Sequence, residues 1–173
     1  MEEVIKRNPD GPQLVGDIPQ LTVPSEEMFQ ELLSSYLNTS FEWERITEKD
    51  VKISSQIEPA AYLKFAREVL DKKSQLTEKE AIALSDFLEK GSESSLRKVI
   101  EEIHVLLRDV LTTPSPPSQK EFHVRLANFL EKQTAIYDAV LKANDDPMRA
   151  VLAVNEFPGT SQELESLREY MKL

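Results

Sequence analysis

The sequence predicts an all-α protein: an irregular or orthogonal bundle of about six to seven helices with an extended, proline-rich N-terminal arm. Two observations lead to this prediction. Apolar residues recur at every third or fourth position along most of the chain from residue 25 onward, which is the spacing of one helix face. Helix-start and helix-stop signals divide that stretch at short intervals, as expected for a bundle with short connections.

Residues 1–24 are predicted to form an extended arm or tether. They contain four of the ten prolines and two of the four glycines. Because proline fixes φ and lacks an N–H donor, neither a helix nor a strand is expected to run through this stretch. Residues 25–173 are predicted to form a single α-helical domain of ordinary size. Its first helix is expected to begin at Ser25, with apolar positions Met28, Phe29, Leu32, Leu33, Tyr36 and Leu37.

The next part of the chain predicts two helices after an ambiguous segment. Residues 51–54 fit either a short strand or an irregular link. A second helix is expected to begin at Pro59. The N–H of the first helical residue makes no bond within the helix, so a proline, which lacks this group, fits there. A third is expected after Thr77, because Thr77 and Glu80 have the spacing of a capping box, and Gly91 fits a left-handed C-cap. The expected buried residues are Tyr62, Phe65, Ala66, Val69, Leu70, Ala81, Leu84, Phe87 and Leu88.

The fourth helix, from about Ser92, has the most regular apolar period in the chain. Three prolines in the following segment are predicted to end it. Ser118 and Glu121 have the spacing of a second capping box, which predicts that the fifth helix begins there. The prolines are Pro114, Pro116 and Pro117, and the inward-facing residues of the fifth helix are expected to include Phe122, Leu126, Phe129, Leu130, Ile136, Tyr137, Val140 and Leu141.

Two short helices are predicted to complete the domain. Asp146 is expected to be the N-cap of the sixth helix, with Pro147 at its first position. Residues 157–159, Phe-Pro-Gly, are expected to break it, and Thr160 with Glu163 is expected to cap the seventh. The expected buried residues are Met148, Val151, Leu152, Val154, Leu164, Leu167, Tyr170 and Met171.

Composition disfavours several classes of function. The net charge of −10, without a local Lys/Arg cluster, would repel nucleic acids and anionic membrane surfaces. The longest apolar run, at 150–154, is far below the roughly 20 residues of a membrane-spanning helix, so direct membrane insertion is not expected. The absence of cysteine excludes disulfides and thiolate catalysis. The first residues lack the apolar region of a signal peptide, which predicts a cytoplasmic location for the chain as written.

His104 and His123 are the only imidazoles, and they are the residues on which an enzymatic function would depend. They lie on helices predicted to be antiparallel and joined by the proline segment, so they could converge with carboxylates such as Asp109 or Glu121. The chain has no His-Glu-x-x-His pattern, no Gly-x-Ser-x-Gly elbow and no glycine-rich phosphate loop. A histidine packed in the core or lying on the surface is therefore the preferred interpretation of each, and no catalytic, metal or cofactor residue is predicted.

Three further features are candidates for binding. Asp145 and Asp146 could contribute to a calcium site, but helix capping explains both. Trp43, the single tryptophan, could be an interface anchor if exposed, although burial at the end of the bundle is favoured. Pro114 and Pro117 satisfy the PxxP pattern of polyproline ligands without the usual flanking arginine, so a joint between helices is preferred.

One segment resembles a known group of proteins. The residues that carry the resemblance are, in chain order, Pro117, His123, Leu126, Asn128, Asp146, Pro147 and Ala150. This order is similar to that of uncharacterised helical proteins of small-genome bacteria that are exported behind an N-terminal anchor. The resemblance implies an extracytoplasmic domain, tethered by residues 1–24 to an anchor outside this sequence, as the alternative to a cytoplasmic location. It implies no activity and no catalytic residue.

Taken with the regular helical pattern, the lack of catalytic motifs predicts a non-enzymatic helical interaction or structural module. A protein partner or self-association is expected. The alternative is a small hydrolytic or metal-dependent enzyme that uses His104 or His123 with carboxylates. A ligand-binding domain with an apolar cavity between helices is a third hypothesis, which sequence cannot distinguish from a filled core.

Overall fold

The computed structural model describes residues 40–171 in full, together with the backbone of residues 14–15 and 18–19. Two compact units divide the chain, Met1–Thr39 and Ser40–Leu173. The predicted helix after Ser25, and with it the predicted boundary between residues 24 and 25, lies outside the described residues.

A short β-hairpin pairing occurs in the first unit, where no strand was expected. Strand β1 (Leu14–Val15) is antiparallel to β2 (Ile18–Pro19), with Leu14 opposite Pro19 and Val15 opposite Ile18. The two strands are separated in sequence by Gly-Asp, a dipeptide typical of two-residue hairpin connections. Proline is tolerated because it lies at the end of an edge strand, where one missing donor leaves the pairing intact.

The second unit is all-α. Within residues 40–171 it contains five α-helices and one short 3-10 helix. The α-helices are α1 (Pro59–Lys90), α2 (Glu93–Thr112), α3 (Lys120–Leu141), α4 (Pro147–Val154) and α5 (Phe157–Tyr170), and the 3-10 helix is Pro117–Gln119.

Helix α1 is one continuous helix of 32 residues, so the prediction of separate helices before and after Thr77 was wrong. No glycine or proline interrupts residues 60–90, and nothing else stops the backbone hydrogen bonding there. Thr77 lies exposed in the helix interior. Glu80 turns inward to Lys73 instead of capping a backbone amide.

The other two predicted capping boxes are also wrong. Before α3, backbone N–H groups bond to carbonyls of the 3-10 turn, as the Gln119 N–H does to the Pro116 carbonyl at 2.9 Å. Ser118 makes no side-chain capping bond to a described residue. Helix α5 already begins at Phe157, because Pro158 fits the first turn of a helix. Thr160 is therefore interior, and its hydroxyl donates to the Phe157 carbonyl at 2.9 Å.

The remaining boundary signals are confirmed. Gly91 ends α1 with φ 67°, in the left-handed region that glycine adopts without steric cost. Asp146 caps α4, since its Oδ1 accepts a hydrogen bond from the Arg149 N–H at 3.0 Å. Pro59 and Pro147 both lie in the first turn of their helices.

The helices pack around one main core. Helix α2 contacts both α1 and α3, and α5 contacts α1 and α3 on another side, while α4 packs on α3. Most predicted core positions are buried, but Leu88 is 68% exposed, Val151 51%, Val154 44% and Tyr170 40%, and Ala81 is exposed as well. Leu88 lies in the last turn of α1, and the two valines lie on a face of α4 that no described helix covers. The largest fully buried apolar side chains include Tyr62, Leu70, Leu96, Ile103, Leu126, Leu130, Ile136 and Leu167.

The ambiguous segment at 51–54 forms an irregular link with a single bridge. Ile53 pairs in parallel with Ser115, through Ser115 N–H to the Lys52 carbonyl at 2.8 Å and Ser54 N–H to the Ser115 carbonyl at 2.9 Å. Among the residues that the structure describes, no helix is long and apolar enough to cross a membrane.

Candidate functional site

Trp43 lies in an extended segment that a side chain of α3 holds in place. The Asn128 Oδ1 accepts a hydrogen bond from the Ile46 N–H at 2.9 Å, and its Nδ2 donates to the Ile46 carbonyl at 2.8 Å. A third bond, from Nδ2 to the Val124 carbonyl at 3.0 Å, fixes the amide on its own helix. Asn128 therefore satisfies both backbone groups of Ile46, as a neighbouring strand would.

The same segment is fixed at its start by α4. The Arg149 guanidinium lies 5.7 Å from the centre of the Phe41 ring and donates to the Glu42 carbonyl at 3.4 Å. Phe41 is buried against Ile136, Ala139 and Ala153, and Trp43 packs at the edge of this small cluster. The half-buried indole is thus held between two contacts with helices.

Two surface depressions share Trp43 as a common wall. The larger, of about 530 Å³, lies between the 43–48 segment and α3, and the smaller, of about 220 Å³, extends towards the start of α5. Arg125 and Asn128 line both, and the Arg45 guanidinium lies 5.5 Å from the centre of the Trp43 ring. We call this region the Trp43 surface: Trp43, Arg45, Ile46, Val124, Arg125 and Asn128.

The charges around this surface are balanced. Arg125 donates to both oxygens of Glu163 at 2.5 and 3.1 Å, and this carboxylate raises the pKa of the guanidinium. Lys120 pairs with Glu48 at 2.8 Å at the rim of the larger depression. The ion pairs hold the rim in a defined geometry without giving the surface a strong net charge.

A second concave region lies where α1, α3 and α5 meet. It has a volume of about 540 Å³, and we call it the Lys73 cleft after the ion pair in its wall. Lys73 Nζ lies 2.7 Å from Glu80 Oε1 and donates to Oε2 at 3.0 Å, and both residues are buried. Nζ also lies 5.9 Å from the centre of the Phe129 ring. The lining comprises Lys73, Ser74, Thr77, Glu80, Ala81, Leu84, Gln133, Tyr137, Phe157, Thr160, Ser161, Leu164, Glu165 and Arg168.

Helix α3 adds two polar side chains to this cleft. Burial, followed by the negative charge of Glu80, raises the pKa of Tyr137 well above its usual range, so the phenol is neutral. Gln133 is 6% exposed, and its Oε1 accepts no hydrogen bond from the described part of the chain. Polar groups buried this deeply are nearly always hydrogen-bonded in native proteins.

His123 is fully buried in the core, away from these clefts. It shares a 2.8 Å hydrogen bond between Nδ1 and the Tyr62 hydroxyl, and the two rings meet edge to face at 5.5 Å. Burial lowers the pKa of His123, so the imidazole is neutral near pH 7. Its Nε2 is buried too, and no described residue bonds to it.

His104 lies exposed on α2, in a different environment. It acts on the carboxyl group of Glu131 on α3: burial raises the pKa of Glu131, and the charge of His104 lowers it. His123 instead faces Tyr62 of α1 in the core. Within the described residues, no group of three or more His, Asp or Glu side chains could hold a metal ion.

The other sequence candidates have structural contacts. Asp146 caps α4, and exposed Asp145 contributes a backbone N–H bond to the Lys142 carbonyl at 2.9 Å. Pro114 is half-buried, Pro116 is buried and Pro117 is exposed at the start of the 3-10 helix. The fully buried Ser115 between them pairs with the 52–54 link, so this segment is built into the joint between α2 and α3.

Sequence reasoning named Trp43 but missed the polar residues around it and in the Lys73 cleft. One signal was present: Lys73 and Glu80 are seven residues apart and fall in the same register as buried Leu76 and Ala83. Reading α1 as continuous would have placed both charges on its inner face. Nothing in the sequence indicates that Asn128 would bond to Ile46, which is 82 residues away.

Comparison with known proteins adds no assignment. No family model matches the chain, and neither a curated protein nor a solved structure does. The resemblance to exported, N-terminally anchored helical proteins stays a prediction.

Proposed function

We propose that this chain is a non-enzymatic binding module that holds a partner protein at the Trp43 surface. One observation carries the proposal: the half-buried Trp43 ring is the common wall of two surface depressions, and Asn128 fixes the segment that bears it. Tryptophan and arginine are the residues most enriched among those that dominate protein–protein binding energies.

The rigidity of the segment supports this role. Binding orders mobile side chains and loops at a free-energy cost, and a segment that is already fixed avoids most of it. The two bonds from Asn128 and the Arg149–Phe41 contact fix the backbone on both sides of Trp43. A partner side chain can therefore enter either depression without the surface having to rearrange.

The partner is a protein rather than a nucleic acid. The chain carries a net charge of −10, and Arg125 and Lys120 at this surface are already paired with Glu163 and Glu48. Few cationic groups remain here to neutralise a phosphate backbone. An apolar side chain between polar neighbours, typical of a protein interface, fits the depressions better.

Photo-crosslinking tests this proposal. A photoreactive phenylalanine analogue replaces exposed Glu121, beside Trp43, and the full chain is irradiated with the proteins of its source cell. We expect one discrete adduct, which is lost in a Trp43→Ala background and retained in Trp43→Phe. The same analogue at exposed Gln75, which lines a different groove, is the control. Adducts that form equally well in the Trp43→Ala background would contradict the proposal. Adducts between two copies of this chain would show that the partner is a second copy of the same protein.

The alternative function is a small hydrolase or metal-dependent enzyme. The observation that favours it is the nearness of exposed His104 to the half-buried Glu131 carboxyl group, whose pKa is raised by burial. His123 is enclosed by the core and offers no ring nitrogen to a substrate. A screen of ester, amide and phosphoester substrates decides between the two proposals: turnover that His104→Gln abolishes and Trp43→Ala retains would favour the enzyme.

A further inference from the structure

The Lys73 cleft contains a buried carboxamide whose oxygen is not satisfied by the part of the chain that the structure describes. Gln133 is 94% shielded from solvent and lines the cleft, yet its Oε1 has no hydrogen-bond donor among residues 40–171. Such a group destabilises the folded state compared with an apolar side chain of the same shape. A buried polar group kept at this cost requires an explanation, and a bound molecule that supplies the missing bond is one.

The cleft has the size and lining of a small-molecule site. Its volume of about 540 Å³ lies within the range of about 300–1,000 Å³ that is typical of ligand pockets. Ala81, Leu84, Phe157 and Leu164 supply apolar surface, and the polar groups converge from α1 and α3. Ligand sites combine such an apolar wall with a few fixed polar groups.

The charges beside Gln133 select a neutral ligand. Lys73 and Glu80 neutralise each other at 2.7 Å, and the adjacent Tyr137 is a neutral phenol. A charged head group beside Gln133 would lose its hydration next to an ion pair that is already neutralised, because the other charged side chains of the lining, Glu165 and Arg168, lie exposed on α5. A neutral group that both donates and accepts hydrogen bonds has no such penalty.

An amide is the group that best complements a carboxamide, because each presents one donor and one acceptor side by side. The pairing works in either orientation of the Gln133 amide. Elsewhere in the molecule the Asn128 carboxamide also donates and accepts at once, accepting from the Ile46 N–H at 2.9 Å and donating to the Ile46 carbonyl at 2.8 Å.

We propose that the Lys73 cleft binds a small neutral molecule with an amide head group on an apolar body. Gln133 pairs with the amide, and Leu84, Phe157 and Leu164 contact the apolar body. This site shares Thr160 with the smaller Trp43 depression but contains none of the six residues of the Trp43 surface, so the proposal does not depend on the proposed protein partner.

A matched series of three probes tests the ligand class. Benzamide, benzoate and benzylammonium share a ring and differ in head-group charge, and each is titrated into the ¹⁵N-labelled full chain. We expect saturable shifts for benzamide at Gln133, Tyr137 and Leu164, with a dissociation constant on the order of 1 mM for so small a ligand. Benzoate and benzylammonium are expected to bind at least about tenfold more weakly.

Gln133→Met tests the residue, because methionine keeps the shape and removes the hydrogen-bonding groups. We expect benzamide to bind at least about tenfold more weakly, with no decrease in the urea midpoint, since the unsatisfied acceptor has been removed. Gln75→Met, an exposed substitution outside the cleft, is the control. Ala81→Trp, at an exposed lining position, is expected to fill the cleft and abolish the shifts in a folded protein.

Three results would overturn the proposal. The first is an absence of saturable shifts up to the solubility limit of benzamide. The second is equal affinity of the wild type and Gln133→Met. The third is tighter binding of either charged probe than of benzamide. None of these results bears on the Trp43 surface.

Discussion

At the scale of single residues, two side chains of α3 show how differently buried polar groups are used. Asn128 makes three hydrogen bonds and fixes a distant segment, whereas the Oε1 of Gln133, a little over one turn later, accepts no hydrogen bond from any of residues 40–171. Both are amides on the same helix, so the difference comes from what packs opposite them. This is information that only the tertiary structure supplies.

His123 predicts a specific dependence of stability on pH. In the unfolded chain its imidazole titrates near pH 6.5, and burial lowers its pKa in the folded protein. In the pH range between these values the unfolded chain binds more protons, so the free energy of unfolding falls as the pH decreases below about 6.5. We expect urea titrations of His123→Gln to show a shallower decrease between pH 6.5 and 5 than the wild type.

The control for this prediction is His104→Gln. His104 is exposed on α2, and its replacement is expected to flatten the pH profile less than the replacement of the buried His123. If His104→Gln rather than His123→Gln flattened the pH profile, the assignment of the effect to the buried imidazole would be wrong.

At the scale of helices, apolar periodicity predicted where helices occur but not where each begins. The described helices α1, α2, α3, α4 and α5 all overlap stretches that the sequence marks as helical, but α5 begins at Phe157, inside the break predicted at 157–159. The Thr-x-x-Glu and Ser-x-x-Glu patterns predicted helix starts that the structure does not have. A capping box is defined by only four residues, so the same pattern can occur where no helix begins. Such a pattern also occurs in a helix interior, at Thr77, or within a 3-10 helix, at Ser118. The helix start predicted at Asp146 is confirmed, because Pro147 in the next position favours the same boundary.

Matched alanine substitutions test these boundaries. Thr77→Ala is expected to leave stability unchanged or raise it by a few tenths of a kcal/mol, because alanine is the better interior residue. Asp146→Ala removes a true cap and is expected to cost about 1 kcal/mol. Chemical denaturation measures both. A loss of about 1 kcal/mol in Thr77→Ala would mean that a helix begins there.

The Lys73–Glu80 pair predicts a strong coupling within α1. Removing one partner leaves a buried, unpaired charge, so Lys73→Met is expected to cost about 3–5 kcal/mol. Replacing both, in Lys73→Met/Glu80→Leu, is expected to recover most of this loss. Denaturant unfolding of the single and double variants gives the coupling energy.

The exposed Lys79–Glu102 pair is the matched control, because Lys79→Met is expected to change stability by no more than about 1 kcal/mol. Equal losses in Lys73→Met and Lys79→Met would contradict the buried geometry of the first pair.

At the scale of the whole described unit, α5 completes the structure by contacting both α1 and α3. Its position leaves the Lys73 cleft on one side and the smaller Trp43 depression on another. The all-α class could be predicted from periodicity, whereas these concave regions could not. They depend on which helices touch, and on residues far apart in sequence, such as Trp43 and Gly159, that line the same depression.

The central claim is that Trp43, rather than a catalytic residue, carries the function. The affinity of the crosslinked partner for the purified full chain, measured by isothermal titration calorimetry, tests it most directly. We predict that Trp43→Ala weakens binding by about 2 kcal/mol or more, as expected at the centre of an interface, and that Val105→Ala on the exposed face of α2 changes it by less than about 0.5 kcal/mol. Equal affinities for the wild type and Trp43→Ala would contradict the account.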